Sequence, residues 1–169
     1  MKSQQGVGLL EVLVALVLLG VAVLGFAALQ LRAINASLEA NNNVQAVSLA
    51  RDLAERMRVN RDGLITYQGN YTGASGATAN SNNNTCATSY CTPAQLAQYD
   101  FAQVQQRATE MGMSVAVRNC QGITSRRACI YVAWEDTTPT NGTGENDCTN
   151  GTTYVPNAKC IILEAYNYD

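Results

Sequence analysis

The sequence predicts an α+β protein with a long amino-terminal, membrane-spanning helix and a small antiparallel β-sheet head. Two features predict the helix: residues 7–29 carry a single charge, and apolar residues at helical spacing continue well beyond them. Three later segments rich in β-branched and aromatic residues predict the sheet. The chain has 169 residues, which leaves room for one small domain after the helix.

The predicted transmembrane helix spans residues 7–30. At about 1.5 Å per residue, a helix of this length crosses a hydrocarbon core roughly 30 Å thick. Glu11 is the only charge in residues 7–29, and an unpaired carboxylate in lipid is costly. Glu11 is therefore a candidate functional residue, although snorkelling to the head groups or protonation would also account for it.

A polar leader, MKSQQG, precedes the helix and carries Lys2, so we expect it to stay in the cytoplasm while the rest is exported. A secretory signal would end its apolar run within about 7–15 residues, and this run is longer. Gly6 stands directly before the helix and Glu11 is at the fifth position after it. This pattern resembles the class III signal of type IV prepilins and pseudopilins. Val7 and Gly8 stand where phenylalanine and threonine are usual in that family.

The resemblance implies a pilin-like fold and a specific maturation. Prepilin peptidase would cut between Gly6 and Val7 and methylate the new amine of Val7. Glu11 would then be the docking charge that pairs with its own amino terminus or with that of a neighbouring subunit. The expected product is a single-pass protein of the inner membrane with a periplasmic carboxy-terminal head. An inner-membrane assembly platform would move it into a pilus, at the tip or the base.

Residues 31–62 are predicted to continue the helix into the periplasm, because they contain neither proline nor glycine. Their apolar residues recur at the spacing of one helical face, and three consecutive asparagines allow a local bend. In the membrane half, Gly8, Ala15 and Ala22 recur seven residues apart. That spacing fits either a helix-packing face or chance.

The predicted head covers residues 63–169. Residues 63–91 are rich in Gly, Asn, Thr and Ser, so we expect a long surface loop there, anchored by Tyr67, Tyr71 and Tyr90. Three strands follow a helix in this prediction. Their sequences are MSVAVR at residues 113–118, CIYVAW at 129–134 and IILEAY at 161–166. The first two should pair antiparallel, and the polar residues between the second and third are expected to form a loop.

The helix of the head is predicted to begin at Thr92, as the N-cap, with Pro93 at the first helical position. Its apolar side is expected to consist of Leu96, Tyr99, Val104 and Ala108. The segment CTPAQLAQYD at its start resembles one that is common in minor pilins of the PilV type.

All six cysteines lie beyond residue 85, in the part expected outside the cytoplasm, where disulfides persist. A structural zinc site is the rival interpretation, but no pair has the C-x2-C spacing. We expect disulfides, no metal and no cofactor. Pairing in sequence order would join Cys86 to Cys91, Cys120 to Cys129 and Cys148 to Cys160. Six cysteines allow 15 pairings, so sequence order is weak guidance.

The chain has no histidine, which removes the Ser-His and Cys-His nucleophile pairs, so we expect no enzymatic activity and no catalytic residue. The net charge of −2 does not favour a nucleic-acid partner. The pair Arg126-Arg127 is the feature that would contact DNA, although exposed arginines are usually just solvated.

The resemblance implies that the protein is a minor pilin of the PilV type. In that family the subunit joins other minor pilins in a complex that primes pilus assembly, and the major pilin follows. One alternative is a GspI-like pseudopilin of type II secretion, which long loops and six cysteines disfavour. Another alternative is an adhesin or DNA receptor at the pilus tip. The sequence leaves open the order of partners, any tip ligand, and whether the pilus serves motility, DNA uptake or adhesion.

Overall fold

A computed structural model describes residues 8–69, 86–122 and 127–165 of the chain. The predicted α+β class is confirmed: a long amino-terminal helix, an antiparallel sheet and three disulfides are present. The chain divides into two compact units, Met1–Asn41 and Asn42–Asp169. The second unit therefore includes the last turns of the long helix together with the sheet.

Helix α1 is Leu9–Val59, a single helix of 51 residues. It continues through the three consecutive asparagines, which are poor helix formers but are followed by turns that the core holds in place. The buried residues of α1 all belong to the second unit and are Ala46, Leu49, Ala50, Leu53 and Met57. Their intervals of three and four residues define one helical face, as the sequence predicts.

Residues 61–69 are helical. The predicted loop, residues 63–91, was therefore wrong for residues 63–69. A 3-10 helix, Arg61–Gly63, leads directly into helix α2, Leu64–Gly69. Burial explains the difference, because Tyr67 is 0 % exposed and its turn of helix packs on the core. Tyr67 thus anchors this segment. Tyr90 does not, since it is fully exposed, and Tyr71 lies outside the described residues.

Helix α3 is Pro93–Glu110, and it begins as predicted. The Thr92 hydroxyl accepts a hydrogen bond from the Gln95 amide, while the Gln95 side chain accepts one from the Thr92 amide. This capping box satisfies backbone donors that a helix start otherwise leaves unpaired. The buried face is shifted from the predicted one, because Leu96 and Tyr99 are only half-buried. The residues that α3 buries are Ala97, Asp100, Phe101, Val104 and Ala108.

The main sheet has the strand order β1-β2-β6, and both pairings are antiparallel. Its strands are Met113–Asn119 (β1), Ala128–Trp134 (β2) and Cys160–Ala165 (β6). Each lies within one residue of its predicted position. Every residue of the central strand β2 is buried, which accounts for its nearly continuous run of apolar residues.

A small sheet, which the sequence analysis missed, lies in the polar stretch between β2 and β6. It has the order β3-β4-β5, with one parallel and one antiparallel pairing. Its strands are Thr138–Asn141 (β3), Asp147–Asn150 (β4) and Thr153–Tyr154 (β5). The Asp147 carboxylate accepts hydrogen bonds from the Thr140 hydroxyl and the Gly144 amide, which hold the pKa of Asp147 below its ordinary value.

Two clusters of buried side chains lie on opposite faces of β2. The helix-side core packs α1, α2 and α3 on the main sheet and receives Ile130, Val132 and Trp134 from β2. The cystine cluster lies on the other face. Its buried members are Cys120, Cys129, Tyr131, Ala133, Cys148 and Cys160. Alternation along the strand sends successive side chains to the two clusters.

Candidate functional site: the bare helix and the head

The amino-terminal part of α1 presents a long apolar surface that no other part of the described chain covers. Every described residue from 8 to 38 is exposed, including Leu9, which is 85 % exposed, and Leu24, which is 72 % exposed. By length and composition this helix is able to cross a membrane. So much contiguous apolar surface requires lipid or another protein around it.

Glu11 lies in the first turn of α1, where its side chain is exposed. Its amide donates to the carbonyl oxygen of Gly8 at 2.9 Å, which closes the first turn. A carboxylate in the first turn interacts favourably with the positive end of the helix dipole. Gly6 and Val7 lie outside the described residues, so the predicted cleavage site and the pairing of Glu11 with an amino terminus stay predictions.

The small residues of the membrane half leave room for a close neighbour. A Cβ atom added at Gly8, Gly20 or Gly25 would meet no heavy atom of the described chain within 4 Å. Close helix approach at such positions is typical of helix packing in membranes. Among the described residues, nothing covers this face.

A buried carboxylate joins the three helices of the head, and the sequence analysis missed it. Asp100 on α3 accepts one hydrogen bond from Arg56 Nη1 of α1 at 2.8 Å and another from the Tyr67 hydroxyl of α2, also at 2.8 Å. Asp100 is 8 % exposed, so both partners are needed to offset its loss of hydration. One signal was available in the sequence: Asp100 is four residues after Leu96 and four before Val104, on the predicted apolar side of the helix.

The network continues to the surface through Asp52. Arg56 Nε donates to Asp52 Oδ1 at 3.0 Å, and Arg107 Nη1 of α3 donates to Asp52 Oδ2 at 3.0 Å. Burial and the hydrogen bond to Asp100 raise the pKa of Tyr67 above its ordinary value of 10.0, so the hydroxyl stays protonated and donates. The network fixes the orientation of the three helices and offers no group poised for proton transfer or nucleophilic attack.

The three disulfides join cysteines in sequence order. Their Cα–Cα distances are 5.5 Å for Cys86–Cys91, 5.0 Å for Cys120–Cys129 and 5.9 Å for Cys148–Cys160. The first closes the turn before α3, the second closes the β1–β2 connection, and the third ties β4 to β6. Across the described parts of the chain, no three metal-ligating side chains of the His, Cys, Asp or Glu type come together.

Of the pair Arg126-Arg127, the predicted contact for DNA, the structure describes only Arg127. Arg127 forms an ion pair with Glu164, with Nη1 and Oε1 at 2.6 Å, so its charge is used within the head. Arg126 lies outside the described residues. A separate cleft of about 640 Å³ is bordered by three acidic residues and one lysine, among others. They are Glu135, Asp136, Glu145 and Lys159.

Two family models match the chain. One is described as the prokaryotic N-terminal methylation motif and matches residues 1–27. The other is described as type IV pilin Tt1218 and matches residues 28–102. The two matched ranges adjoin and together include α1, α2 and the first half of α3. No curated protein and no solved structure matches the chain.

Proposed function

Because these two models match, the chain is a type IV pilin with an N-terminal methylation motif, and we propose that it acts as a minor pilin of the PilV type. Pilins are structural subunits and not enzymes. The motif implies processing by prepilin peptidase, anchoring by the amino-terminal helix, and assembly into a pilus.

The observation that carries the proposal is the bare apolar half of α1 with one carboxylate in its first turn. Before assembly, lipid covers the apolar side chains. In the pilus, the helices of neighbouring subunits replace the lipid, and Glu11 pairs with the methylated terminal amine of a neighbour. The low dielectric around that pair raises the free-energy cost of leaving either charge unpaired. The pair therefore favours the one register of helix packing in which both charges meet.

The proposal that this chain is a minor pilin is based on its head. The segment CTPAQLAQYD opens α3, and the Cys86–Cys91 disulfide and the capping box at Thr92 hold its start in place. In this proposal the head faces the periplasm and joins other minor pilins in the complex that primes assembly, at the tip or the base of the pilus. A GspI-like role in type II secretion remains the alternative within the same family.

The decisive experiment replaces Glu11 by glutamine, which keeps the shape and removes the charge. We expect Glu11→Gln protein to insert and be processed normally, while its recovery with other minor pilins and in sheared pili falls at least about tenfold, the equivalent of about 1.4 kcal/mol. Glu55→Gln is the matched control, since Glu55 lies on the same helix in an exposed pair with Arg58.

Native recovery of the Glu11→Gln protein would show that charge pairing does not dock this subunit. If the wild-type protein is instead recovered with components of a secretion system and not with minor pilins, the GspI-like alternative replaces the proposed role.

A further inference from the structure

The sequence Thr-Asn-Gly-Thr occurs twice in the polar stretch between β2 and β6, at residues 140–143 and 149–152. These repeats contain the two Asn-Gly pairs of the chain. Asparagine is chemically labile, above all before glycine, because a residue without a side chain leaves its backbone amide open to close approach. The neighbours of Asn141 and Asn150 are the same, so a difference in their reactivity has to come from the fold.

The first repeat is held at both of its reacting groups. The Asn141 side-chain oxygen accepts a hydrogen bond from the Thr149 hydroxyl at 2.9 Å. The Gly142 amide donates to the carbonyl oxygen of Thr149, also at 2.9 Å. Thr149 is 3 % exposed, so water has little access to these two bonds. A reaction between Asn141 and Gly142 therefore requires both contacts to break.

The second repeat forms the exposed turn between β4 and β5. Asn150 pairs with Thr153, which leaves Gly151 and Thr152 as the two residues of the turn. Gly151 has a φ of 65°, a conformation that favours glycine at the first position of such a turn. Asn150 and Gly151 are both exposed. Among the described residues, no hydrogen bond engages the Asn150 side chain or the Gly151 amide.

Local opening of this turn requires little of the fold to change. Strand β5 is only two residues long, Thr153–Tyr154, and both of its residues are exposed. The pair Asn150 and Thr153 is the last one before the turn. Terminal pairs of short exposed strands open without global unfolding, so the Gly151 amide is able to reach the Asn150 side chain in the folded head.

We propose that Asn150 is a site of spontaneous deamidation and that Asn141 is protected from it. The Gly151 amide nitrogen attacks the side-chain carbonyl carbon of Asn150 and forms a bond to it. The bond from that carbon to the side-chain nitrogen breaks, and ammonia leaves with the proton that the amide loses. Water then opens the succinimide at either carbonyl, which gives aspartate or isoaspartate. The net change is a gain of one water and a loss of one ammonia, so no oxidant or cofactor takes part.

Either product changes the outer end of the small sheet. A carboxylate replaces the neutral amide, and isoaspartate also adds a methylene to the backbone, which a two-residue turn cannot absorb without a change of register. The turn lies against the β1–β2 connection, since a Cβ atom added at Gly122 would be 2.6 Å from Thr152 Cγ2. In a long-lived pilus subunit, a link that rests on the proposed function, the converted fraction would increase with the age of the subunit.

Peptide mapping by mass spectrometry of the full-length protein in detergent micelles tests the proposal. After incubation at neutral pH and reduction, trypsin releases residues 128–159 as one peptide that contains both asparagines. Fragment ions show which asparagine is converted and whether isoaspartate is present. We expect Asn150 to react at least about tenfold faster than Asn141, because two hydrogen bonds must break at Asn141 and none at Asn150.

Two controls separate the fold from the local sequence. In reduced, denatured protein the two sites should react at rates within about twofold of each other, because only the shared local sequence then acts on them. Thr149→Val keeps the shape of the side chain and removes the hydroxyl that donates to Asn141. In the folded variant the rate at Asn141 should rise about two- to tenfold, while the rate at Asn150 stays within about twofold of wild type.

Two results would overturn the proposal. One is an equal rate at both sites in the folded protein. The other is the absence of conversion at Asn150 over a period in which the denatured chain reacts. An unchanged rate at Asn141 in Thr149→Val would contradict the protection assigned to the Thr149 hydroxyl. The reaction is followed on the purified chain, so failure of the proposed pilin role would not affect these outcomes.

Discussion

At the scale of single residues, Asp100 is the buried charge that connects the three helices of the head. It lies on the buried face of α3 and accepts hydrogen bonds from Arg56 and Tyr67, which belong to the other two helices. A buried carboxylate without such partners would destabilise the fold, so the three side chains depend on one another. The network thus adds to the apolar core in holding α1, α2 and α3 together.

Removing the tyrosine hydroxyl should weaken the head by a modest amount. We expect Tyr67→Phe to lower the free energy of unfolding by about 1.5–3 kcal/mol, because the buried carboxylate of Asp100 loses one donor while the ring stays packed. Trp134 is the single tryptophan and is buried, so its fluorescence follows denaturant unfolding of the head. Tyr90→Phe is the control, since Tyr90 is exposed. An equal effect of both substitutions would contradict this role of the Tyr67 hydroxyl.

The same tyrosine predicts a dependence on alkaline pH. Burial, and then the hydrogen bond to Asp100, raise the pKa of Tyr67 in the folded state above the ordinary 10.0. The stabilisation is therefore complete below pH 10 and is lost as the pH rises beyond it, because the unfolded state releases the proton more readily. The difference in unfolding free energy between wild type and Tyr67→Phe should shrink between pH 9 and pH 11. A constant difference over that range would rule out the shift.

At the scale of elements, the junction between α1 and α2 decides where Tyr67 lies. The Asn60 side-chain amide donates to the carbonyl oxygen of Pro93 at 2.8 Å, which joins the end of α1 to the start of α3. Gly63 packs into the same junction and its amide donates to the carbonyl oxygen of Asn60 at 3.2 Å. A turn that satisfies both contacts leaves no room for a side chain at position 63.

A methyl group at this position should be poorly tolerated. The Cβ of alanine at Gly63 would lie 2.6 Å from the carbonyl oxygen of Pro93 and still closer to the Asn60 side chain. The first of these atoms is backbone and cannot move cheaply, so we expect Gly63→Ala to cost about 1–3 kcal/mol of unfolding free energy. Gly25→Ala is the control, because the added Cβ meets nothing within 4 Å. Equal stability of the two variants would refute the steric argument.

At the scale of the whole molecule, the chain combines a helical stretch, residues 8–38, that no part of the described chain covers with a head that is cross-linked by three disulfides. The helix depends on lipid or on neighbouring subunits, and the head has its own core. This division fits a subunit that is first held in a membrane and later becomes part of a polymer.

Maturation is testable on the intact protein. Mass spectrometry of the membrane-extracted chain should show loss of residues 1–6 and one methyl group on Val7, because Gly6 precedes the methylation motif's apolar helix. A bulky residue in place of Gly6 should block the cut and leave the precursor in the membrane. Normal processing of such a variant would exclude the cleavage site proposed between Gly6 and Val7.

The sequence by itself determined the features that depend on local chemistry and composition. The apolar run of α1, the helix start at Thr92 and Pro93, and the positions of the three main strands were all predictable. Each follows from side-chain periodicity or from backbone geometry over a few residues. The methylation motif was recognisable for the same reason, since it is a short pattern in consecutive residues.

Only the tertiary structure decided the contacts between distant residues. In the sequence Asp100 is one polar position on the apolar side of a helix, and its partners Arg56 and Tyr67 are 44 and 33 residues away. The first turns of the predicted loop became helical because Tyr67 is buried, and the polar segment before β6 became a sheet. The composition of such segments indicates only that they are polar. Whether they form a helix, a strand or a loop depends on contacts with residues that folding brings close to them.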